Sequence, residues 1–256
     1  AIFQKLVFWR QSMIKYIFIS LSISLVFSPL ALAEHSTDSL EKAKAILTFI
    51  DKGRTADSAF ETVMEVSNEK ENSTLKYRLV DNGENKSILY FLEERQKGQR
   101  ILTTQDETWL FTNKTKRAIK IPSIQKLFGD ASIGDVARLR FSKDYETKEI
   151  MCTNRICQLV LKSLNAQSTY AAITLDVDAK NWLPISAELY AASGKQLKSM
   201  RFTSVRIEDN TPVIEEWLLY SPSQPENVTK INASSFSLVS IPSVTFTKAY
   251  LLMSNR

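Results

Sequence analysis

The residues able to do chemistry are few, and their spacing suits little of it. The single histidine, His35, lies near the N-terminal end, and no Ser-His-Asp or Cys-His site can be assembled around it. One His and two Cys fall short of the four N, S or O ligands of a structural zinc site. Six thinly spread glycines form neither a P-loop nor a G-x-G-x-x-G turn to cradle phosphate. No metal and no cofactor are therefore expected. Paired carboxylates occur as Glu93-Glu94, Asp176 with Asp178, and Glu215-Glu216. Two acids can serve glycoside hydrolysis, but acids at such positions also make an ordinary solvated strand face or turn. The residues predict a protein that is not an enzyme, with a carboxylate hydrolase as the competing class.

Aromatic and basic residues interleave at Trp109, Phe111, Lys114 and Arg117, an arrangement that can stack single-stranded nucleic acid. Their two-residue spacing is explained more simply by a buried strand face, and no nucleic-acid partner is expected. The two cysteines, Cys152 and Cys157, flank the short turn Thr153-Asn154-Arg155 between two apolar-alternating runs. In an exported protein that spacing predicts a disulfide stapling one hairpin, worth about 2 kcal/mol for so small a loop. The redox alternative lacks the C-x-x-C spacing. Triplets of the form N-x-S/T, such as Asn72-Ser73-Thr74, bear on glycosylation only in a eukaryotic secretory pathway.

Export is predicted from the N-terminal region. Met13 and Lys15 precede an apolar stretch from Tyr16 to Leu30, and Ala31, Leu32 and Ala33 follow. This pattern reads as a signal peptide over 13–33, with Ala31 and Ala33 before the scissile bond and Glu34 after it. The apolar run is shorter than the ~20 residues that span a bilayer; an uncleaved anchor is the alternative, and the absence of a nearby Cys excludes a lipobox. Residues 1–12, with Lys5, Phe8, Trp9 and Arg10, read as translated upstream sequence. Without the leader the basic count falls from 33 to 30 against 28 acids, and the net charge from +5 to +2. That balance, with no block of like charge, gives no electrostatic case for binding polyanions.

The elements that must carry these residues are mostly strands. A helix is expected from a cap at Thr37 or Asp38, through Leu40, Ala43, Leu47 and Ile50, to Gly53. From Ser58 the apolar period becomes two, with strands through Phe60–Val66, Leu75–Leu79 and Ile88–Leu92 and a turn at Asn82-Gly83. More strands are expected at 100–104, 108–112 and 117–121. The stretch 123–140 switches to helical spacing through Ile124, Leu127, Phe128, Ile133, Val136 and Leu139, broken at Gly129 and Gly134. Strands resume over 145–152, 157–164, 170–178, 185–191, 197–208, 212–220 and 228–237, and a last helical turn spans 246–251. About a dozen strands joined by short turns must pair antiparallel, and so large a sheet must curl. No repeat or linker interrupts 34–256, so one domain is expected. The fold class is mainly β (α+β): an incomplete antiparallel β-barrel around a helical lid, enclosing a filled core or a cavity.

The mature sequence resembles the outer-membrane lipoprotein-sorting, or LolA-like, proteins over nearly all its length. The resemblance rests on Trp109-Leu110-Phe111 followed by Arg117 and Ile121-Pro122, and on Leu127-Phe128-Gly129-Asp130 with Asp135. It continues through Tyr170 into Leu175-Asp176-Val177-Asp178, Leu183 to Tyr190, Ser193-Gly194-Lys195 with Leu197-Lys198, and Phe246-Thr247. Where the family branch often has a Gly-Ser-Asp type motif, this chain has Phe128-Gly129-Asp130-Ala131-Ser132, which leaves ligand and handover partner open. The resemblance implies a periplasmic carrier that shields lipid or lipoprotein acyl chains in an apolar cavity. It would take them from an inner-membrane transporter and pass them to an outer-membrane acceptor. A sensor or binding module on the same fold, regulating a partner without transport, is the alternative. On the carrier reading Tyr77, Leu89, Phe91, Trp109 and Phe111 line the hollow, and Ile124, Leu127, Phe128 and Val136 sit on the lid, with Gly129 and Gly134 as hinges. Plain core packing is the alternative for each. Sheltering one chain of ~14 methylenes is worth on the order of 10 kcal/mol.

Overall fold

The computed structural model describes residues 29–54, 58–112 and 117–253, with side chains described from residue 38 onward. Residues 1–28, on which the expected upstream segment and most of the expected signal peptide fall, and Lys114 lie outside the described residues. Ala31, Ala33 and Glu34 fall in the opening turns of helix α1 (Pro29–Lys52). No helix among the described residues is long and apolar enough to cross a membrane. α1 runs straight through Thr37 and Asp38, so neither is its cap. Neither Gly nor Pro interrupts the helix after Pro29, which suits a first turn. It ends before Gly53, whose N–H donates to the Ile50 carbonyl at 3.0 Å. Ala43, Ile46, Leu47 and Ile50 form the buried stripe at helical spacing; Leu40 stays exposed.

Fifteen strands follow among the described residues. β1 (Phe60–Asn68), β2 (Ser73–Asp81), β3 (Ser87–Phe91), β4 (Arg100–Thr103), β5 (Thr108–Phe111) and β6 (Ala118–Ile121) form an antiparallel meander. A second meander comprises β9 (Tyr145–Cys152), β10 (Ile156–Ser163), β11 (Ala172–Asp178), β12 (Pro184–Tyr190), β13 (Gln196–Glu208), β14 (Thr211–Ser221) and β15 (Gln224–Leu238). Pairing of β1 with β15 joins the two into one 13-stranded sheet whose edges are β6 and β9. Those edges do not pair with each other, so the barrel stays open, as expected for a mainly β, incomplete antiparallel barrel.

The stretch 123–140 departs from its helical reading. It opens with a small hairpin, β7 (Lys126–Phe128) and β8 (Ala131–Ser132), continues as α2 (Ile133–Ala137), and leads to α3 (Phe141–Asp144). Gly129 occupies the hairpin turn at φ +53°, a conformation that costs glycine least. The apolar spacing of Ile124, Leu127 and Phe128 imitates a helix over too few residues to nucleate one.

Alternation sorts the side chains into two clusters. The register places Thr62, Leu79, Leu89, Ile101 and Leu110 in one row across β1 to β5 on the concave face. They join Leu159, Leu175, Leu189, Met200, Trp217 and Ile231 of the other meander, together with α1 and α2, in the main core. The opposite row, Val80, Ile88, Leu102 and Trp109, faces outward. It is covered by the C-terminal segment, where a 3-10 turn (Ser243–Phe246) and α4 (Lys248–Met253) bring in Phe246 and Leu251. Cys152 and Cys157 are directly opposite in the β9–β10 register and form the expected disulfide across the turn 153–155, with Cα atoms 4.0 Å apart.

Candidate functional site

The hairpin, α2 and α3 close the concave side and are tied down by buried polar bonds. Ser132 and Asp135 form a capping box at the start of α2. Asp135, wholly buried, also receives the Tyr170 hydroxyl at 2.6 Å and the Lys198 ammonium at 2.6 Å. Burial, and then the Asp135 charge, push the Tyr170 phenol well above its ordinary range, so it remains a donor. Asp51 of α1 caps α3, accepting from the Phe141 and Ser142 amides at 2.9 and 2.7 Å and from the Ser142 hydroxyl at 2.6 Å. Arg140 pairs with Asp81 of β2 at 2.6 Å, both nearly dry. Thr229 of β15 accepts the Asp130 amide at 2.7 Å. A Cβ on Gly129 would sit 2.2 Å from Thr229 Oγ1, and one on Gly134 2.1 Å from Thr169 Oγ1. The two glycines allow close approach of lid to barrel, so the hinge expectation gives way to a bolted lid.

The opening lies elsewhere. β14 and β15 pair from Ser221 and Gln224 to Glu216 and Asn232, and there the pairing stops. β14 nevertheless extends back to Thr211 alongside β13, and β15 extends on to Leu238 alongside β1. The sheet therefore forks. Ser235, at φ +58°, sits where the β1–β15 register slips between Glu61 and Val63, which bends β15 away.

A cavity of about 420 Å³ occupies the fork, within the range of small-molecule sites. Its apolar wall includes Met64, Leu79, Val136, Leu139, Ile214 and Trp217, and Phe236, 54 % exposed, brings it to the surface. Polar residues gather at the ends. Arg54 lies with its Cζ 5.1 Å from the Trp217 ring centre and 5.7 Å from that of Phe141, and it donates to the Asp135 carbonyl at 3.1 Å. Burial lowers its pKa, countered by the charges of Asp51 and Asp135, and it stays a cation. At the other end Arg206 bridges Glu215 at 2.5 Å and Glu208 at 3.0 Å. The bond from Arg206, with a second from Ser204, holds the Glu215 carboxyl below its usual range. The acids at this end are neutralised in place.

Of the residues expected at the hollow, only Val136 lines this cavity. Tyr77, Leu89 and Phe91 face the concave side but are packed into the main core, and Leu127 and Phe128 lie half-buried against it. Ile124 is 40 % exposed. Trp109 and Phe111 point to the convex face, under Phe246 and Lys248, which corrects their assignment: one step along a strand exchanges the two faces. The residues that sequence reasoning missed are Met64, Leu79, Ile214, Trp217 and Ala233. One signal for them exists in the chain. Pro212 and Ile214 are buried, then Trp217 and Leu219, so the alternation slips by one at Glu215-Glu216 and marks the irregularity beside the fork. The other acid pairs have local roles: Glu93 accepts from the Lys76 amide and Glu94 pairs with Lys97, while Asp176 accepts from Gln158 and Ser186, and Asp178 caps the turn at Lys180 and Asn181.

The fold is shared with solved structures. A LolA superfamily protein from Nitrosomonas europaea matches with a TM-score of 0.72 at 24 % identity, covering 81 % of this chain and 98 % of its own. A DUF1329 family protein from Desulfovibrio piger matches at 0.65 and 16 %, covering 83 % and 98 %. An outer membrane lipoprotein-sorting protein domain from Vibrio parahaemolyticus matches at 0.63 and 17 %, covering 83 % and 99 %. The fold is LolA-like. A family model described as "Uncharacterized protein" matches residues 83–252, and the chain belongs to that family. No curated protein matches the sequence.

Proposed function

We propose that the protein is a non-enzymatic periplasmic carrier that shelters an acyl chain of a lipid or lipoprotein in the fork cavity, for transfer towards the outer membrane. The observation that carries this reading is the apolar wall of Met64, Leu79, Ile214 and Trp217 in a cavity that reaches the surface at Phe236. Each methylene moved from water to such a wall contributes about 0.8 kcal/mol, so affinity scales with chain length. The LolA-like fold supports the ligand class, since the similar domain from Vibrio parahaemolyticus bears the lipoprotein-sorting name. Export of the mature chain into the periplasm follows from the signal-peptide pattern of 13–33. An inner-membrane donor and an outer-membrane acceptor complete the carrier reading. The carboxylates at the cavity are held by Arg206 and Arg140, an arrangement for structure more than for proton transfer, and no turnover of the bound lipid is expected.

Native mass spectrometry of protein purified from the periplasm tests the proposal. The expected result is a bound species with the mass of an acylated lipid, released intact. Protein that carries no hydrocarbon and takes up none from micromolar solution contradicts it.

A further inference from the structure

The fixed lid and the forked sheet together bear on how a ligand gets in. The obvious route, under the lid, requires parting Lys198 from Asp135, Arg140 from Asp81, and Ser142 from Asp51, all in poorly hydrated surroundings. Removing one partner from such a buried pair is strongly unfavourable, so the lid is a poor gate.

The fork needs no such break, because β14 and β15 are already apart below Glu216 and Asn232. Two parted strands present free edges, and free edges template the addition of a third strand. Here the edges are blunted. Pro212 has no N–H to offer, the Ile214 amide already donates to the Gly53 carbonyl at 3.3 Å, and the Ser234 carbonyl accepts from the Thr62 hydroxyl at 2.8 Å. With these edge groups engaged and an apolar floor beneath, the slot favours a polymethylene chain, which requires no hydrogen bonds, over a peptide strand. Large apolar side chains remain exposed on β15 at the mouth: Phe236 and Leu238 are 54 and 66 % exposed.

We propose that the fork is a lateral portal: the hydrocarbon chain enters sideways between β14 and β15, its tail reaching Met64, Leu79 and Trp217 while its polar end stays outside at Ser235 and Phe236. This rests on the acyl-carrier reading and adds the route and the orientation. Exchange then requires neither lid movement nor unfolding, which suits a protein that must both load and release.

The test staples the mouth. Val213 and Ser235 flank the fork, and neither native cysteine is free, so Val213→Cys with Ser235→Cys provides the accessible thiols for a short bismaleimide added after folding. Uptake of a fluorescent fatty acid is followed by stopped flow. The unstapled variant sets the reference rate, and stapling before ligand is expected to slow uptake by about tenfold or more against it. Stapling after loading is expected to slow release by a similar factor. Stapled protein that loads and releases at the unstapled rates overturns the portal while leaving the carrier reading intact. Wild-type protein that binds no fatty acid overturns both.

Discussion

The Lys198 ammonium and the Asp135 carboxylate meet at 2.6 Å with Asp135 wholly buried, tying β13 to the first turn of α2. Lys198→Met leaves that carboxylate without its cation, and the expected loss is about 3–5 kcal/mol. Combining it with Asp135→Asn removes the unpaired charge and is expected to recover part of the loss. Urea denaturation midpoints of the two single variants and the double variant measure the coupling. Strictly additive losses would show that the pair does not act as a unit.

Asp51 gives the protein a pH dependence of defined sign. Burial raises its pKa, against the lowering effect of bonds from Ser142 and Phe141 and the charge of Arg54. A carboxyl whose folded pKa lies above its unfolded value contributes stability at low pH and loses it as pH rises through the folded pKa. Asp51→Asn is therefore expected to melt closer to wild type, or above it, as pH rises from about 4 towards neutrality. Thermal melts of both proteins across that range supply the difference. A difference that moves the other way contradicts burial as the dominant influence on Asp51.

Gly129 and Gly134 separate a bolted lid from a hinged one. Gly129→Ala and Gly134→Ala press a methyl against Thr229 and Thr169, with expected costs of roughly 1–3 kcal/mol. Fatty-acid exchange rates of the folded variants are expected to match wild type. Marked slowing of exchange at equal stability would restore the hinge.

Phe246 packs with Val80, Ile88, Leu102 and Phe111 on the convex face, away from the fork. Phe246→Ala is expected to cost about 3–5 kcal/mol and to leave ligand affinity unchanged. Calorimetry for stability and a fluorescence titration for affinity check the two halves, and a weakened affinity would link the faces.

Much of the architecture was legible in the chain. Period-two alternation with short turns gives a large antiparallel sheet, and Cys152 and Cys157 give their hairpin. Over 123–140 the apolar spacing points to a helix that the chain does not form, because a hairpin turning at Gly129 and the short α2 share that spacing. The strand pattern does not fix the faces of Trp109 and Phe111, because β5 is apolar on both sides: Leu110 meets the main core while Trp109 meets α4. A cover on the convex side cannot be inferred from a strand alone. The fork was hidden for a different reason. It depends on where β14 and β15 stop pairing, a register property fixed by Ser235 and the slip at Glu215-Glu216, whose types are ordinary.

The account stands on the cavity being a hydrocarbon site, and filling it is the most direct trial. Ala233 lines the fork opposite Met64, and Ala233→Trp adds an apolar ring where the chain would lie. Titration of a fluorescent fatty acid is expected to give saturable binding to wild type and about tenfold weaker binding to the variant, the loss of roughly 1.4 kcal/mol. Equal affinity in the two proteins, or none in either, contradicts the account.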